Sequence, residues 1–139
     1  MIQLIIGEKG KGKTKVLLDK ANTEIKSVNG SVVYLDKSTQ HMYELNNKIR
    51  LIDVTGYPVS NSDEFIGFIS GIISQDHDLE QMYLDSFLKI AGLEGQDVTS
   101  ALEKLDKISG AFGVNFIISI SLTKDQLPEA MKDRIIAEL

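Results

Sequence analysis

Apolar residues in this chain come in short bursts of two kinds, and their order predicts the elements. Ile2–Ile6 is a nearly continuous apolar run with a glycine behind it, the pattern of a strand buried on both faces. From Lys13 the period lengthens, and Leu17, Ala21, Ile25 and Val28 recur as one helical stripe. Asn29-Gly30 closes that stripe, glycine being a common residue just past a helix. Ser31–Leu35 reads as a second strand and Arg50–Val54 as a third. The polar stretch between them, Lys37–Lys48, reads either as a short helix or as a mobile loop. After Tyr57-Pro58 the cluster Ser60–Glu64 opens a helix with Phe65, Ile69, Ile72 and Ile73 on one face. Gln81–Asp85 is a candidate strand ending in a carboxylate. A helix over Asp97–Ser109 turns Ala101, Leu102, Leu105 and Ile108 inward and is expected to stop at Gly110. Val114–Leu122 is the most strand-like stretch, and a last helix is expected from about Pro128, where proline suits the first turn, to Leu139.

Strands alternating with helices over the whole length imply one α/β domain, residues 1–139, with a mainly parallel sheet. The 42% hydrophobic and 25% charged composition is that of a globular domain. A net charge of −5 argues against general nucleic-acid binding, which calls for a basic excess. With no cysteine, disulfides, thiolate zinc sites and cysteine nucleophiles are excluded, and a reducing compartment fits. No apolar run approaches the ~20 residues of a membrane span. No charged leader or cleavage site precedes Ile2–Ile6, so a cytoplasmic location is expected.

Against that acidic background, Lys9, Lys11, Lys13 and Lys15 crowd into one glycine-spaced loop. Gly7-Glu8-Lys9-Gly10-Lys11-Gly12-Lys13-Thr14 satisfies G-x-x-x-x-G-K-[ST], with a strand before it and an amphipathic helix after it. Gly7, Gly10 and Gly12 allow backbone conformations in which successive N–H groups point at phosphate oxygens. The helix N-terminus adds partial positive charge. Lys13 is expected to reach the β- and γ-phosphates and the Thr14 hydroxyl to ligate Mg²⁺.

The loop resembles those of P-loop NTPases, and its G-x-x-G-x-G-K-T form is similar to AAA-type and pilus-motor ATPases. The whole chain resembles small bacterial P-loop proteins sometimes labelled twitching-motility ATPases; the resemblance implies nucleotide binding, not motility. Partitioning ATPases, which carry an extra signature lysine, are set aside because Glu8 stands there. The resemblance implies a three-layer P-loop NTPase fold with a sheet of about five strands, holding ATP and Mg²⁺.

Such a site needs a strand-end carboxylate for the magnesium water shell. Asp85, closing Gln81–Asp85, resembles the Walker B pattern. The following strand would then lie beside the P-loop strand as in RecA-like ATPases, with Ser119, Ser121 or Thr123 near the γ-phosphate. Many members of that group place a catalytic Glu directly after the Asp; here it is Ser86, which implies slow or partner-activated hydrolysis. Asp36, Asp53 or a partner's group is left to orient water.

Other readings stay open. Asp53-x-x-Gly56 is similar to a GTPase switch, and Thr123-Lys124-Asp125-Gln126 narrowly misses the guanine-reading [NT]-K-x-D. The fourteen residues after Asp125, read as mostly helix, leave little room for a GTPase's further strand. A small-molecule kinase would want arginines on a lid, and this chain has only Arg50 and Arg134, both candidates for action across a subunit contact. A nucleotide-gated interaction module that does not turn over is the last alternative. A protein partner or an oligomer remains compatible with each. His41 and His77 read as solvated surface residues, Tyr43 and Tyr57 as packing at the edge of the third strand or stacking on a base, and the glycine-bearing, polar Lys89–Asp97 as a connector or a partner or substrate surface. Glu103, Lys104, Asp106 and Lys107 read as a solvated helix face.

Overall fold

Six stretches of extended backbone pair side by side, all parallel, in a computed structural model that describes Met1–Leu139. They are β1 (Ile2–Ile6), β2 (Ser31–Asp36), β3 (Ile49–Asp53), β4 (Leu79–Leu84), β5 (Asn115–Ile120) and β6 (Ile135–Glu138). The spatial order is β3-β2-β4-β5-β1-β6. Parallel neighbours need crossovers. Helices α1 (Lys13–Glu24), α2 (Ser62–Ser74) and α4 (Thr99–Phe112) supply three of them, and α3 (Phe87–Ile90) is a single turn after β4.

The strand period of two sorts side chains into layers. Leu4, Ile6, Val33, Leu35, Met82, Leu84, Phe116 and Ile118 enter a core shared with buried residues of α2 and α4, including Phe65, Ile69, Leu102 and Leu105. Their neighbours Ile5, Val32, Tyr34, Tyr83 and Ile117 enter a second core with Leu17, Leu18 and Ala21 of α1. The layers are therefore α1, the sheet, then α2 with α4. The α1 face has the smaller core, 11 buried residues against 26, and polar groups are set into its upper end. No helix is long and apolar enough to cross a membrane.

Three expectations need correction. The sheet has six strands rather than about five, because the tail is not an α-helix: Glu129–Arg134 forms a 3-10 stretch and Ile135–Glu138 becomes β6. The gain is backbone satisfaction, since β6 covers the outer edge of β1 that a terminal helix would leave unpaired. Buried Met131 and the two-pronged Arg134–Asp106 contact (Nη1–Oδ1 2.8 Å, Nη2–Oδ2 3.1 Å) anchor the turn that leads there. That contact also draws Asp106 off the solvated face expected of it. Gly110 does not stop its helix; α4 runs through it to Phe112 and ends at Gly113, in the left-handed region at φ 70°. The ambiguous Lys37–Lys48 stretch contains one 3-10 turn, Met42–Glu44.

The two glycines should respond oppositely. A Cβ at helical, exposed Gly110 meets no atom, so Gly110→Ala should stabilise the fold by about 0.5–1 kcal/mol. Gly113→Ala should cost about 1–2 kcal/mol for its left-handed backbone. Urea unfolding midpoints of the two variants test the pair.

Candidate functional site

Parallel strands all deliver their C-terminal ends to one edge, and there the chain's unusual polar residues meet. The loop after β1 holds Gly7, Gly10 and Gly12 at φ 147°, 84° and 95°, a region other residues rarely adopt. Gly12 precedes α1 and offers it no side-chain acceptor, and no acidic residue lies in the first turn. α2 has the opposite ending: Asn61 accepts from the Glu64 N–H, and Asp63 and Glu64 lie in its first turn. The N-terminus of α1 thus lacks the side-chain acceptor and acidic first-turn residues that cap α2.

Lys13 is buried and reaches back across the loop, its ammonium donating to the Glu8 carbonyl at 3.0 Å. Burial pulls its pKa below the usual lysine value, and the nearby Asp85 carboxylate opposes that pull. Thr14 Oγ1 donates to Asp85 Oδ1 at 3.1 Å, joining residues 71 positions apart.

Asp85 follows β4 and is only 1% exposed. A carboxylate there needs donors. It has three hydroxyls: Thr14 and Ser119 (3.0 Å) on Oδ1, and Tyr34 (2.7 Å) on Oδ2. Ser119 in turn accepts from the Ser86 N–H at 3.0 Å. Asp85 is in phase with Tyr83, Ser119 with Ile117, and Asp36 with Tyr34, all on the α1 side. The strand period therefore brings these polar groups under the loop that opens α1.

Beside Asp85, the Asp85 N–H bonding to the Leu35 carbonyl places Asp36 on the adjacent strand end. Its Oδ1 accepts from the Lys37 N–H, and its buried Oδ2 has no partner. Burial first, and then the charge of Asp85, push its pKa up.

Lys13, Thr14, Asp85, Ser86 and Ser119 line a cavity of about 790 Å³. Of the predicted residues, Glu8, Lys9, Gly10, Gly12, Lys13, Thr14 and Asp85 line it. Gly7 and Lys11 instead border a smaller cavity of about 210 Å³ toward β6. Ser119, Ser121 and Thr123 line the main cavity, while Asp36 and Asp53 do not. Asp53 is occupied locally, its Oδ1 taking the Thr55 N–H (2.9 Å) and hydroxyl (2.6 Å). Asp125 also lies outside; Gln126 lines the cavity, with its side-chain oxygen accepting the Thr123 N–H at 2.9 Å.

Sequence reasoning missed Tyr34, Lys37, Lys89 and Glu94. Tyr34 carried a signal, a phenol two residues before Asp36 on a strand otherwise apolar. Lys89 and Glu94 lie in the glycine-bearing polar stretch just past Asp85, which is a signal of a working loop, while Lys37 carried none. The Lys89–Asp97 connector is thus part of the cavity wall. Ser86, the first residue after Asp85, is the one non-glycine at positive φ, 54°. Arg134 is committed to Asp106, while Arg50 stays exposed on edge strand β3. His41 pairs with Glu44 and His77 is exposed. Tyr57 packs on Phe68, but Tyr43 is 91% exposed and packs at no edge.

No cluster of three or more His, Cys, Asp or Glu forms a metal cage. Among the groups that line the cavity, the paired Thr14 hydroxyl and Asp85 carboxylate could hold Mg²⁺, an ion that keeps its waters and takes one or two protein ligands. A scan against protein-family models finds no match, and a search of curated proteins returns none.

The unpartnered Asp36 carboxylate gives a pH prediction. Because its pKa is raised in the folded state, ionising it costs stability, and that cost appears as pH rises through the raised value. Asp36→Asn removes the charge, so it should raise Tm by a few degrees at pH 8 and leave it nearly unchanged at pH 4. Thermal unfolding at the two pH values checks it; equal shifts would reject the account.

Proposed function

We propose that this chain is a Mg-ATP-binding P-loop protein of RecA-like type that hydrolyses ATP slowly or under a partner's control. The observation that carries the reading is the Thr14–Asp85 hydrogen bond beneath the glycine-rich loop. Two residue types that serve magnesium-phosphate sites meet there, at the N-terminus of a helix without a capping side chain. The strand order supports the same reading, since β5, with Ser119 at its end, lies between β1 and β4.

In this reading the loop N–H groups and Lys13 hold the phosphates. Thr14 and Asp85 would hold Mg²⁺, which supplies charge neutralisation at the phosphates. Lys37 and Lys89 add positive charge at the far rim of the cavity. Slow turnover follows from Ser86, which brings no carboxylate to the water position, and from Asp36 and Asp53 lying off the cavity. A cytoplasmic location belongs to the same reading.

ATP is favoured over GTP because neither Asp53 nor Asp125 borders the cavity. The short tail does not weigh against GTP, since it does supply a further strand. The non-hydrolysing nucleotide-gated module is the second reading, favoured by the same Ser86.

Equilibrium titration of the protein with Mg-ATP and Mg-GTP is the test. ATP should bind at least tenfold tighter, and Lys13→Ala should weaken ATP binding about 10- to 100-fold, the size of a lost charge-assisted hydrogen bond. Wild-type binding in that variant would overturn the site. Ser86 already holds a side chain in the left-handed region, so Ser86→Glu adds little backbone cost and should raise turnover if the missing carboxylate is the limit. Turnover unchanged in a folded variant would favour the module.

A further inference from the structure

Asp85 has two oxygens, and the fold treats them differently. Oδ1 faces Thr14 and Ser119 at the cavity wall. Oδ2 is turned inward to the Tyr34 hydroxyl, a buried contact of 2.7 Å. Tyr34 is fully buried, and its ring stacks on Tyr83 with centroids 6.0 Å apart and planes 14° from parallel. The phenol has no room to swing away.

This matters for the choice of ion. Mg²⁺ is small, strictly octahedral and satisfied by one carboxylate oxygen or its water. Ca²⁺ accepts more ligands and favours carboxylates that offer both oxygens. A carboxylate with one oxygen withheld suits the first ion and handicaps the second.

We propose that Tyr34 is a specificity-determining positioning residue: by holding Oδ2 of Asp85 it leaves a one-oxygen carboxylate at the cavity and so biases the site toward Mg²⁺ over Ca²⁺. The inference rests on the magnesium-nucleotide reading of that cavity. Tyr34 touches neither ion nor nucleotide and works only through Asp85.

The test is an equilibrium titration with ATP as probe, its binding followed as Mg²⁺ or Ca²⁺ is added in turn. The ratio of half-saturating Ca²⁺ to Mg²⁺ is the readout. Tyr34→Phe keeps the ring and its stack while freeing Oδ2, and the ratio should fall at least fivefold, with metal-free ATP binding unchanged. Tyr83→Phe is the control, because its hydroxyl bonds Gln81 (2.7 Å) in the same stack; its ratio should stay that of wild type. With Asp85→Asn already in place, Tyr34→Phe should change the ratio no further. Ser119→Ala, which removes a donor from Oδ1, the oxygen both ions share, should shift the two half-saturations alike and leave the ratio at its wild-type value. A wild-type ratio at or below one overturns the inference whether or not Tyr34→Phe folds. An unchanged ratio in folded Tyr34→Phe, or an equal fall in Tyr83→Phe or Ser119→Ala, overturns the inference and leaves the nucleotide reading standing. Wild-type protein that binds no ATP with Mg²⁺ overturns both.

Discussion

Burying a carboxylate without a neutralising cation is costly, and the upper edge of this sheet is organised around meeting that cost at Asp85. Its three donors come from three places: Thr14 from the first turn of α1, Ser119 from β5 and Tyr34 from β2. One side chain thereby ties the loop after β1 to two strands besides its own. Hydroxyls suit the task, because each satisfies an oxygen without adding a charge that would compete with Lys13 for the cavity. Removing the Tyr34 hydroxyl leaves the buried Oδ2 unpaired, a cost of about 1–3 kcal/mol, whereas Oδ1 keeps one donor when either Thr14 or Ser119 is lost.

The neighbouring Asp36 shows the other side of the same physics. Its Oδ2 is the one buried side-chain polar atom without a partner in the chain. It stands next to an already buried carboxylate, so both burial and repulsion oppose its charge. A fold selected only for stability would place a neutral residue there. Perturbed carboxylates of this kind gather at functional sites, and so do non-glycine residues in the left-handed region such as Ser86, which follows Asp85 directly.

Much of this was legible before folding. The glycine-lysine loop, its strand and its helix were readable because they are local, ordered by spacing within about one turn of backbone. The strands β1 to β5 and the stripe of α2 were readable from period alone. The tail was misread, because Met131, Ile135 and Ile136 suit a helix or a strand equally, and the open edge of β1 decided between them. Gly110 was misread because the helix stop depends on where the backbone turns left-handed, three residues later at Gly113. Tyr34 was passed over because a tyrosine in an apolar strand looks like core, which by its ring it is.

By itself, then, the amino-acid order determined the α/β class, the loop that opens α1 and the presence of a carboxylate at the end of β4. All three follow from contacts between near neighbours or from the periods of helix and strand. Only the tertiary structure decided which strand-end carboxylate meets the loop, which oxygen it presents, and that β6 closes the edge beside β1. Those facts depend on strand order, and strand order is set by packing and edge pairing between segments far apart in the chain, where no local period reaches.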